Sequence, residues 1–141
     1  TPFTNKKHLL PAHANPFPGF WQARVPKARE LRITIVGGAS FDAAIYTNAE
    51  SKDDWRRNQG DEASVRFVAE KFPEAEKKKC FSYLKRFGLR FGAFDFIERP
   101  DGKILFLECN PNGQYSWLEA DLDLPISSAI AAEIAKIADA T

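Results

Sequence analysis

The sequence predicts an α+β domain in which an antiparallel β-sheet of five or six strands is packed by two helices. Three observations support this prediction: strand patterns joined by tight turns, two segments of helical periodicity, and a globular composition. The 141 residues are enough for one domain with a real core. Hydrophobic residues make up 44% of the chain and aromatic residues 13%, whereas disordered chains are poor in both.

Charge and cysteine content argue against several classes of protein. Twenty Lys and Arg residues balance nineteen Asp and Glu, and a net charge of +1 predicts neither nucleic-acid nor membrane binding. No apolar run is long enough to span a bilayer, and the start of the chain has no signal-peptide pattern. The cysteines, Cys80 and Cys109, predict core thiols rather than a disulfide framework, so we expect a cytoplasmic protein.

The beginning of the chain is rich in proline. Residues 1–19 contain four of the nine prolines, which predicts an extended connecting segment. The domain is expected over residues 20–141. It begins with a short strand over residues 20–25, which ends at Pro26 because proline cannot donate a ladder hydrogen bond.

The next strands form a predicted hairpin. Residues 31–36 alternate between two faces, Gly37-Gly38 turns the chain, and residues 40–46 return as the partner strand. Residues 47–62 are polar and mixed in charge, which predicts a loop. Residues 65–69 follow with the pattern of an edge strand.

Two helices are predicted in the second half. The first runs from Pro73 to Phe87, with acidic residues early and lysines late, and Gly88 ends it. We expect its lysines, Lys77 to Lys79, to be solvated. Its core-facing stripe is predicted to consist of Cys80, Leu84 and Phe87. The second helix is predicted to cover the sheet with isoleucines at helical spacing, namely Ile126, Ile130, Ile134 and Ile137.

A second hairpin over residues 92–114 carries the candidate site. Arg99-Pro100-Asp101-Gly102 has proline and glycine where a tight turn favours them. Both arms are apolar on both faces, so we expect this pair of strands to lie centrally in the sheet. Asp95 and Glu108 interrupt the arms, and an ionised carboxylate in apolar surroundings costs several kcal/mol unless a cation or donors compensate it.

The spacing of these acidic residues predicts a metal site. Glu108 and Asn110 are two residues apart and share one face of a strand. Asp95 joins that face if the turn holds two or four residues. Three hard oxygen donors then converge, and such a set suits Mg²⁺. In the alternative interpretation, Asp95 caps a loop amide and Glu108 pairs with a nearby lysine or arginine.

These residues lie in a stretch that resembles a known superfamily. FDFIERPDGKILFLECNPNGQYSWLE, residues 94–119, is similar to the carboxy-terminal core of the ATP-grasp ligases. Asn110 to Gln114 with Trp117-Leu118-Glu119 resembles the maturases that cross-link microviridin-type precursor peptides. The resemblance implies the carboxy-terminal half of an ATP-grasp fold. It also implies that Asp95, Glu108 and Asn110 hold Mg²⁺, with two ions, against the phosphates of ATP.

The remaining site assignments also follow the resemblance. Gln22, Ala23 and Val25 are implied as the hinge that binds the adenine of ATP. Glu30 is implied for the ribose hydroxyls, Arg32 for phosphate, and Arg56 for a phosphate or carboxylate. The turn Asn112-Gly113-Gln114 is expected to meet the acyl substrate. The alternatives are an ordinary edge strand at the hinge, an exposed Arg32, and surface ion pairs of Arg56 with neighbouring acidic residues.

The implied reaction activates a carboxylate as an acyl phosphate, which an amine or hydroxyl then attacks to give an amide or ester. ATP and a carboxylate-bearing substrate, expected to be a precursor peptide, are the implied partners, and a homodimer stays open. The alternatives are a glutamate ligase, of the ribosomal-protein-modifying or glutathione-synthetase kind, and a non-catalytic nucleotide-binding module. Because the chain begins at Thr1 and contains no methionine, we take it for a fragment. The upstream lysines and phosphate-covering loop that the resemblance implies have no counterpart in this sequence, so we expect little ligase activity from the fragment alone.

Overall fold

Five strands and three helices make up the part of the chain that the computed structural model describes, residues 25–48 and 64–140. In chain order the elements are β1 (Arg29–Val36), β2 (Ala39–Thr47), β3 (Val65–Ala69), α1 (Glu74–Arg86), β4 (Phe91–Glu98), β5 (Ile104–Asn110), α2 (Ser116–Leu122) and α3 (Ile126–Asp139). The predicted α+β class is confirmed, and α2 is a helix that the sequence did not predict. None of these helices is long and apolar enough to cross a membrane.

The strands form one antiparallel sheet in the order β3-β2-β1-β4-β5. The prediction of an edge strand is confirmed for β3. Among the described residues β5 is the other outer strand of this sheet, so within this part of the chain the prediction that both arms of the second hairpin lie centrally is wrong for β5. Phe106 and Leu107 of β5 are 51% and 37% exposed. An apolar pattern on both faces cannot distinguish a central strand from an outer strand that leaves apolar side chains uncovered.

The larger core lies between α1 and one face of the sheet. Leu31, Ile33 and Ile35 of β1 pack there with Phe94 of β4 and Leu84 of α1. The helix begins after Pro73 and ends as predicted, since Gly88 has a φ of 64° and its N–H donates to the carbonyl of Lys85. Both cysteines are free thiols on this face, as predicted, and burial raises the pKa of Cys80 to about 12.

Two side chains of α1 contradict the sequence prediction. Phe87 is 59% exposed, because it follows the last helical turn and packs against Tyr83 of its own helix rather than against the sheet. Lys77 is buried, with its Nζ 3.2 Å from Asp42 Oδ2 and 2.7 Å from Glu74 Oε1. Lys77 lies three residues before Cys80 and therefore on the same side of the helix, where Asp42 compensates its charge.

The opposite face of the sheet is covered by α2 and the first half of α3. Val36 and Ala43 pack there against Leu118 of α2 and Ile126 of α3. The prediction that α3 covers the sheet along its length is wrong for its second half, where the isoleucines Ile134 and Ile137 are exposed. A buried carboxylate, Glu133, lies against the β1–β2 turn and pairs with Arg90 Nη1 at 2.6 Å. This pairing links the middle of α3 to the residue just before β4.

Candidate active site

The candidate site is a row of side chains across three adjacent strands. Arg32 of β1 is directly opposite Asp95 of β4, and Asp95 is directly opposite Glu108 of β5. Residues that face each other across antiparallel strands project to the same side of the sheet. Asn110, opposite Ala93, belongs to that side as well. The three predicted ligands and the predicted phosphate-binding arginine therefore share one face, which is the face that α2 and α3 partly cover.

A β-bulge creates this arrangement. Glu98 pairs with Ile104, so residues 99–103 form the turn, and it holds five residues rather than two or four. With that register alone, Asp95 would be opposite Leu107, and Glu108 would project to the α1 face. The register shifts between Asp95 and Phe96, which leaves Leu107 as the extra residue and brings Glu108 opposite Asp95.

The predicted turn chemistry within those five residues is present. The N–H of Gly102 donates to the carbonyl of Arg99 at 2.9 Å, and Gly102 has a φ of 77°. Glycine tolerates this left-handed conformation, as the sequence predicted.

Arg32 and Asp95 form a buried pair at the centre of the row. Arg32 Nε lies 2.6 Å from Asp95 Oδ1, and Nη2 donates to Oδ2 at 3.2 Å. The two residues are only 4% and 9% exposed. A guanidinium that meets both oxygens of one carboxylate holds its plane in a defined orientation.

Glu108 and Asn110 complete the cluster at the outer strand. Asn110 Nδ2 donates to Glu108 Oε1 at 3.0 Å and to Asp95 Oδ2 at 3.4 Å. One small polar group therefore reaches both carboxylates. Glu108 is exposed, so the expectation of a buried carboxylate is wrong for this residue. Its exposure follows from the outer position of β5.

This donor set fits Mg²⁺. Within residues 25–48 and 64–140 no three or more His, Cys, Asp or Glu side chains gather as a metal site, so the candidate consists of two carboxylates and one amide. Mg²⁺ prefers such oxygen donors and keeps several waters, and it does not need a full protein cage. The amide of Asn110 directs its hydrogens at two anions, and rotation of the amide would present its oxygen to a cation instead.

The segment after β5 packs beside the row. Gly113 lies so close to β4 that a Cβ on it would be 2.6 Å from the Cβ of Ala93. The Gln114 carbonyl accepts a long hydrogen bond from Arg32 Nη1 at 3.5 Å. The structure therefore brings the predicted substrate turn, Asn112 to Gln114, next to the predicted metal ligands. Its role in substrate binding stays a prediction.

The remaining predicted residues divide into two groups. Glu30 is two residues before Arg32 on β1 and shares its face, and Val25 is half-buried just before that strand. Gln22, Ala23 and Arg56 lie outside the described residues.

Two side chains near the site were missed as candidates. Lys27 Nζ pairs with Glu30 Oε1, and both side chains are largely buried. Trp117 of α2 places its ring 5.7 Å from the Arg32 guanidinium carbon. The sequence offered a signal for each, a lysine three residues before Glu30 and the Trp-Leu-Glu motif, but neither signal specifies a contact.

Comparison with known proteins gives matches among solved structures. No protein-family model matches the chain, and no curated protein matches it. The macrocyclase MdnC from Microcystis aeruginosa, solved with its precursor peptide MdnA, is 40% identical and has a TM-score of 0.64, and the match covers 77% of this chain and 33% of MdnC. The macrocyclase MdnB from the same organism is 38% identical with a TM-score of 0.63, over 79% of this chain and 38% of MdnB.

A third match comes from a different bacterium. A RiPP-associated ATP-grasp ligase from Chryseobacterium gregarium, in complex with ADP and a leader and core peptide, is 27% identical with a TM-score of 0.69. The match covers 76% of this chain and 33% of that ligase. The chain thus spans about a third of the length of the structures it matches.

Proposed function

Because this chain has part of an ATP-grasp fold and is similar to peptide macrocyclases of that fold, we propose that the full-length protein is an ATP- and Mg²⁺-dependent peptide ligase. The reaction would convert a side-chain carboxylate of a precursor peptide into an acyl phosphate and release ADP. A hydroxyl or amine of the same peptide would then displace phosphate, which forms an ester or amide cross-link.

One observation carries this proposal: the convergence of Asp95, Glu108 and Asn110 on the face that also holds Arg32. Arg32 compensates the charge of Asp95, whereas Glu108 accepts from a neutral amide, so the two carboxylates carry more negative charge than the guanidinium beside them balances. The arrangement is useful when a divalent ion occupies the space between them. With a nucleotide bound, these three residues would hold Mg²⁺, which would neutralise charge on the phosphates and on the transferring phosphoryl group.

Arg32 has a defined task in this scheme. Its guanidinium is buried and oriented by Asp95, so it would present a fixed positive charge to a bound phosphate with little reorganisation. Glu30, on the same face, would accept hydrogen bonds from the ribose hydroxyls. Gln22, Ala23 and Val25 would contact the adenine, and Arg56 would bind a phosphate or carboxylate oxygen.

The turn at Asn112 to Gln114 would hold the acyl substrate. Gly113 allows the turn to lie against Ala93, and the Gln114 carbonyl lies beside Arg32, so a carboxylate bound here would be close to the transferring phosphoryl group. Proximity of this kind replaces a bimolecular encounter and lowers the barrier.

The experiment is ATP-dependent modification of a peptide by the full-length protein. An acidic peptide rich in Thr, Ser and Lys, ideally one encoded beside the gene, is incubated with ATP and Mg²⁺ and analysed by mass spectrometry. The proposal expects loss of one water per cross-link, with one ADP formed for each. Asp121→Asn, which changes an exposed carboxylate on α2, serves as a matched control for Asp95→Asn and should retain activity.

The other outcomes select other functions. Mass gains of one glutamate unit would contradict the cross-linking reaction and support a glutamate ligase. Unchanged ATP, whatever acceptor is offered, would contradict catalysis altogether and support a nucleotide-binding module.

A further inference from the structure

The guanidinium of Arg32 is enclosed by three groups from different parts of the chain. Asp95 of β4 meets one edge through Nε and Nη2. The Gln114 carbonyl, from the segment after β5, faces Nη1. The ring of Trp117 in α2 lies over the group, with the guanidinium carbon 5.7 Å from the ring centroid. That distance is within the range of cation–π attraction.

Trp117 is itself held in place. Its ring contacts Phe67 of β3 with centroids 4.7 Å apart. It also packs against the apolar cluster around Val36 and Leu118, and against the one formed by Ile45 and Val65. Trp117 therefore links the outer strand β3 and helix α2 to the guanidinium. A side chain fixed on both sides in this way can transmit a defined position to Arg32.

A purely structural role would account for the packing of Trp117 but not for its contact with a buried cation. The apolar clusters need volume, and Leu or Phe can supply it. A buried guanidinium needs orientation if it is to stabilise charge that develops only in the transition state. The electron-rich face of an indole stabilises a cation more strongly than a phenyl ring does.

We infer that Trp117 is a positioning residue for phosphoryl transfer, which holds the Arg32 guanidinium in the orientation that the reaction requires. The inference rests on the proposed function and deepens it. In this role Trp117 would not contact the substrate. It acts through Arg32, so its contribution depends on Arg32 being present.

The test is a double-mutant cycle in the full-length protein, with initial rates of ADP formation in the presence of peptide. Trp117→Leu is expected to lower kcat about tenfold, the order of effect of a desolvated cation–π contact, while KM for ATP changes little. Trp117→Phe keeps an aromatic ring with a weaker cation–π attraction and should give a rate between those of wild type and Trp117→Leu. Phe67→Leu, which removes an aromatic contact of the indole and leaves Arg32 unchanged, is the control for packing and should change kcat less than Trp117→Leu does.

The second arm of the cycle uses Arg32→Lys. If Trp117 acts through Arg32, adding Trp117→Leu to Arg32→Lys should cost less than about twofold, because residues that act as one unit are not additive. Independent effects that multiply in the double variant would overturn the inference. An equal loss in Phe67→Leu and Trp117→Leu would also overturn it.

A spectroscopic readout separates this inference from the proposed function. The Nε–H resonance of Arg32 in a ¹⁵N-labelled sample, assigned by its loss in Arg32→Lys, reports guanidinium order without any turnover. The inference expects a sharp signal, shifted by the indole ring, that broadens in Trp117→Leu and broadens less in Phe67→Leu. A signal that Trp117→Leu leaves unchanged contradicts the inference. A signal that broadens as expected in a protein without ATP turnover contradicts the proposed function alone.

Discussion

Two arginines on the same strand illustrate the difference between a structural and a functional ion pair. Arg29 and Arg32 are three residues apart on β1 and therefore project to opposite faces of the sheet. Arg29 lies on the α1 face, where Nη1 donates to both oxygens of Glu70 at 2.7 Å and Nε donates to Glu98 at 2.7 Å. A further hydrogen bond from Nη1 reaches the hydroxyl of Tyr46 at 2.6 Å.

Each arginine lies near two carboxylates, Glu70 and Glu98 for Arg29, and Asp95 and Glu108 for Arg32. The two arginines differ in how many of these carboxylates they pair with. Arg29 compensates both of its acidic partners. Among acidic side chains, Arg32 pairs with Asp95, while Glu108 accepts a hydrogen bond from the neutral amide of Asn110. In the Arg29 group, the protein's own cation compensates both carboxylates. In the Arg32 group, one carboxylate has only a neutral amide as its partner, and this is the basis for assigning a divalent ion to that face.

The pKa shifts of Arg29 and Glu70 agree with a set of charges that compensate one another. Burial alone would lower the pKa of Arg29, but the hydrogen bonds that it donates to Glu70, Glu98 and Tyr46 outweigh burial and raise the pKa. The hydrogen bond from Arg29 lowers the pKa of Glu70 below its ordinary value. Both groups thus remain charged and paired over a wide pH range.

Removing the charge of Glu108 should affect turnover more than any other change to these two groups. Glu108→Gln in the full-length protein should lower ATP turnover by about a hundredfold or more, since loss of one charged ligand weakens the metal that stabilises the transition state. Thermal stability should hold, because Glu108 is exposed. Turnover is measured by ADP release and stability by calorimetry. Unchanged turnover at saturating Mg²⁺ would remove Glu108 from the site.

For the Arg29 group we expect a loss of stability without a loss of turnover. Arg29→Met should lower the free energy of unfolding by about 2 kcal/mol, because it leaves two partly buried carboxylates without their cation. The turnover of the folded protein should change little. Urea denaturation followed by activity assays at a temperature below the transition checks both parts. A loss of turnover without a loss of stability would make the two arginines functionally equivalent, and the comparison would fail.

A glycine pair tests whether the substrate turn must pack against β4. Gly113→Ala should lower turnover about tenfold, because the added methyl group would overlap Ala93 and displace the turn. The displaced turn would no longer hold the carboxylate of the substrate close to the transferring phosphoryl group. Gly38→Ala is the matched control, since its added Cβ meets no atom within 4 Å. Equal activity of the two variants would indicate that the position of the turn does not matter.

The smallest expected effect is a dependence on pH. The folded-state pKa of Glu70 is depressed, so the stability it contributes is fully present above its unfolded-state pKa and is lost as pH falls through the lower folded-state value. The difference in unfolding free energy between wild type and Glu70→Gln should therefore shrink as the solution is acidified. Urea titrations in steps from neutral to acidic pH measure it. A constant difference would contradict the ion pair.

The sequence predicted the general plan and the main cluster, and the resemblance to ATP-grasp peptide maturases is confirmed. Strand alternation and turn residues act locally, and they placed the hairpins, the helix α1 and the shared face of Glu108 and Asn110. Whether Asp95 would join that face depended on a turn length that the sequence left open. The turn holds five residues, and the bulge at Leu107 restores the register that places Asp95 and Glu108 on one face.

The sequence predictions that proved wrong concern which elements pack against each other. The outer position of β5, the burial of Lys77 against Asp42 and the exposure of Phe87 depend on tertiary packing, which no local pattern records. Helix α2 is only seven residues long and has too few positions to show a period. The hinge residues Gln22 and Ala23, and Arg56, fall outside the described residues, so their assignments stay predictions.

The most direct test of the metal site is a crystal structure of the full-length protein with ADP and Mn²⁺, which takes the place of Mg²⁺ and scatters anomalously. The account predicts an anomalous peak about 2.2 Å from carboxylate oxygens of Asp95 and Glu108, with the amide oxygen of Asn110 turned toward it. An anomalous peak on other residues, with no metal between Asp95 and Glu108, would contradict the assignment of this face as the catalytic centre.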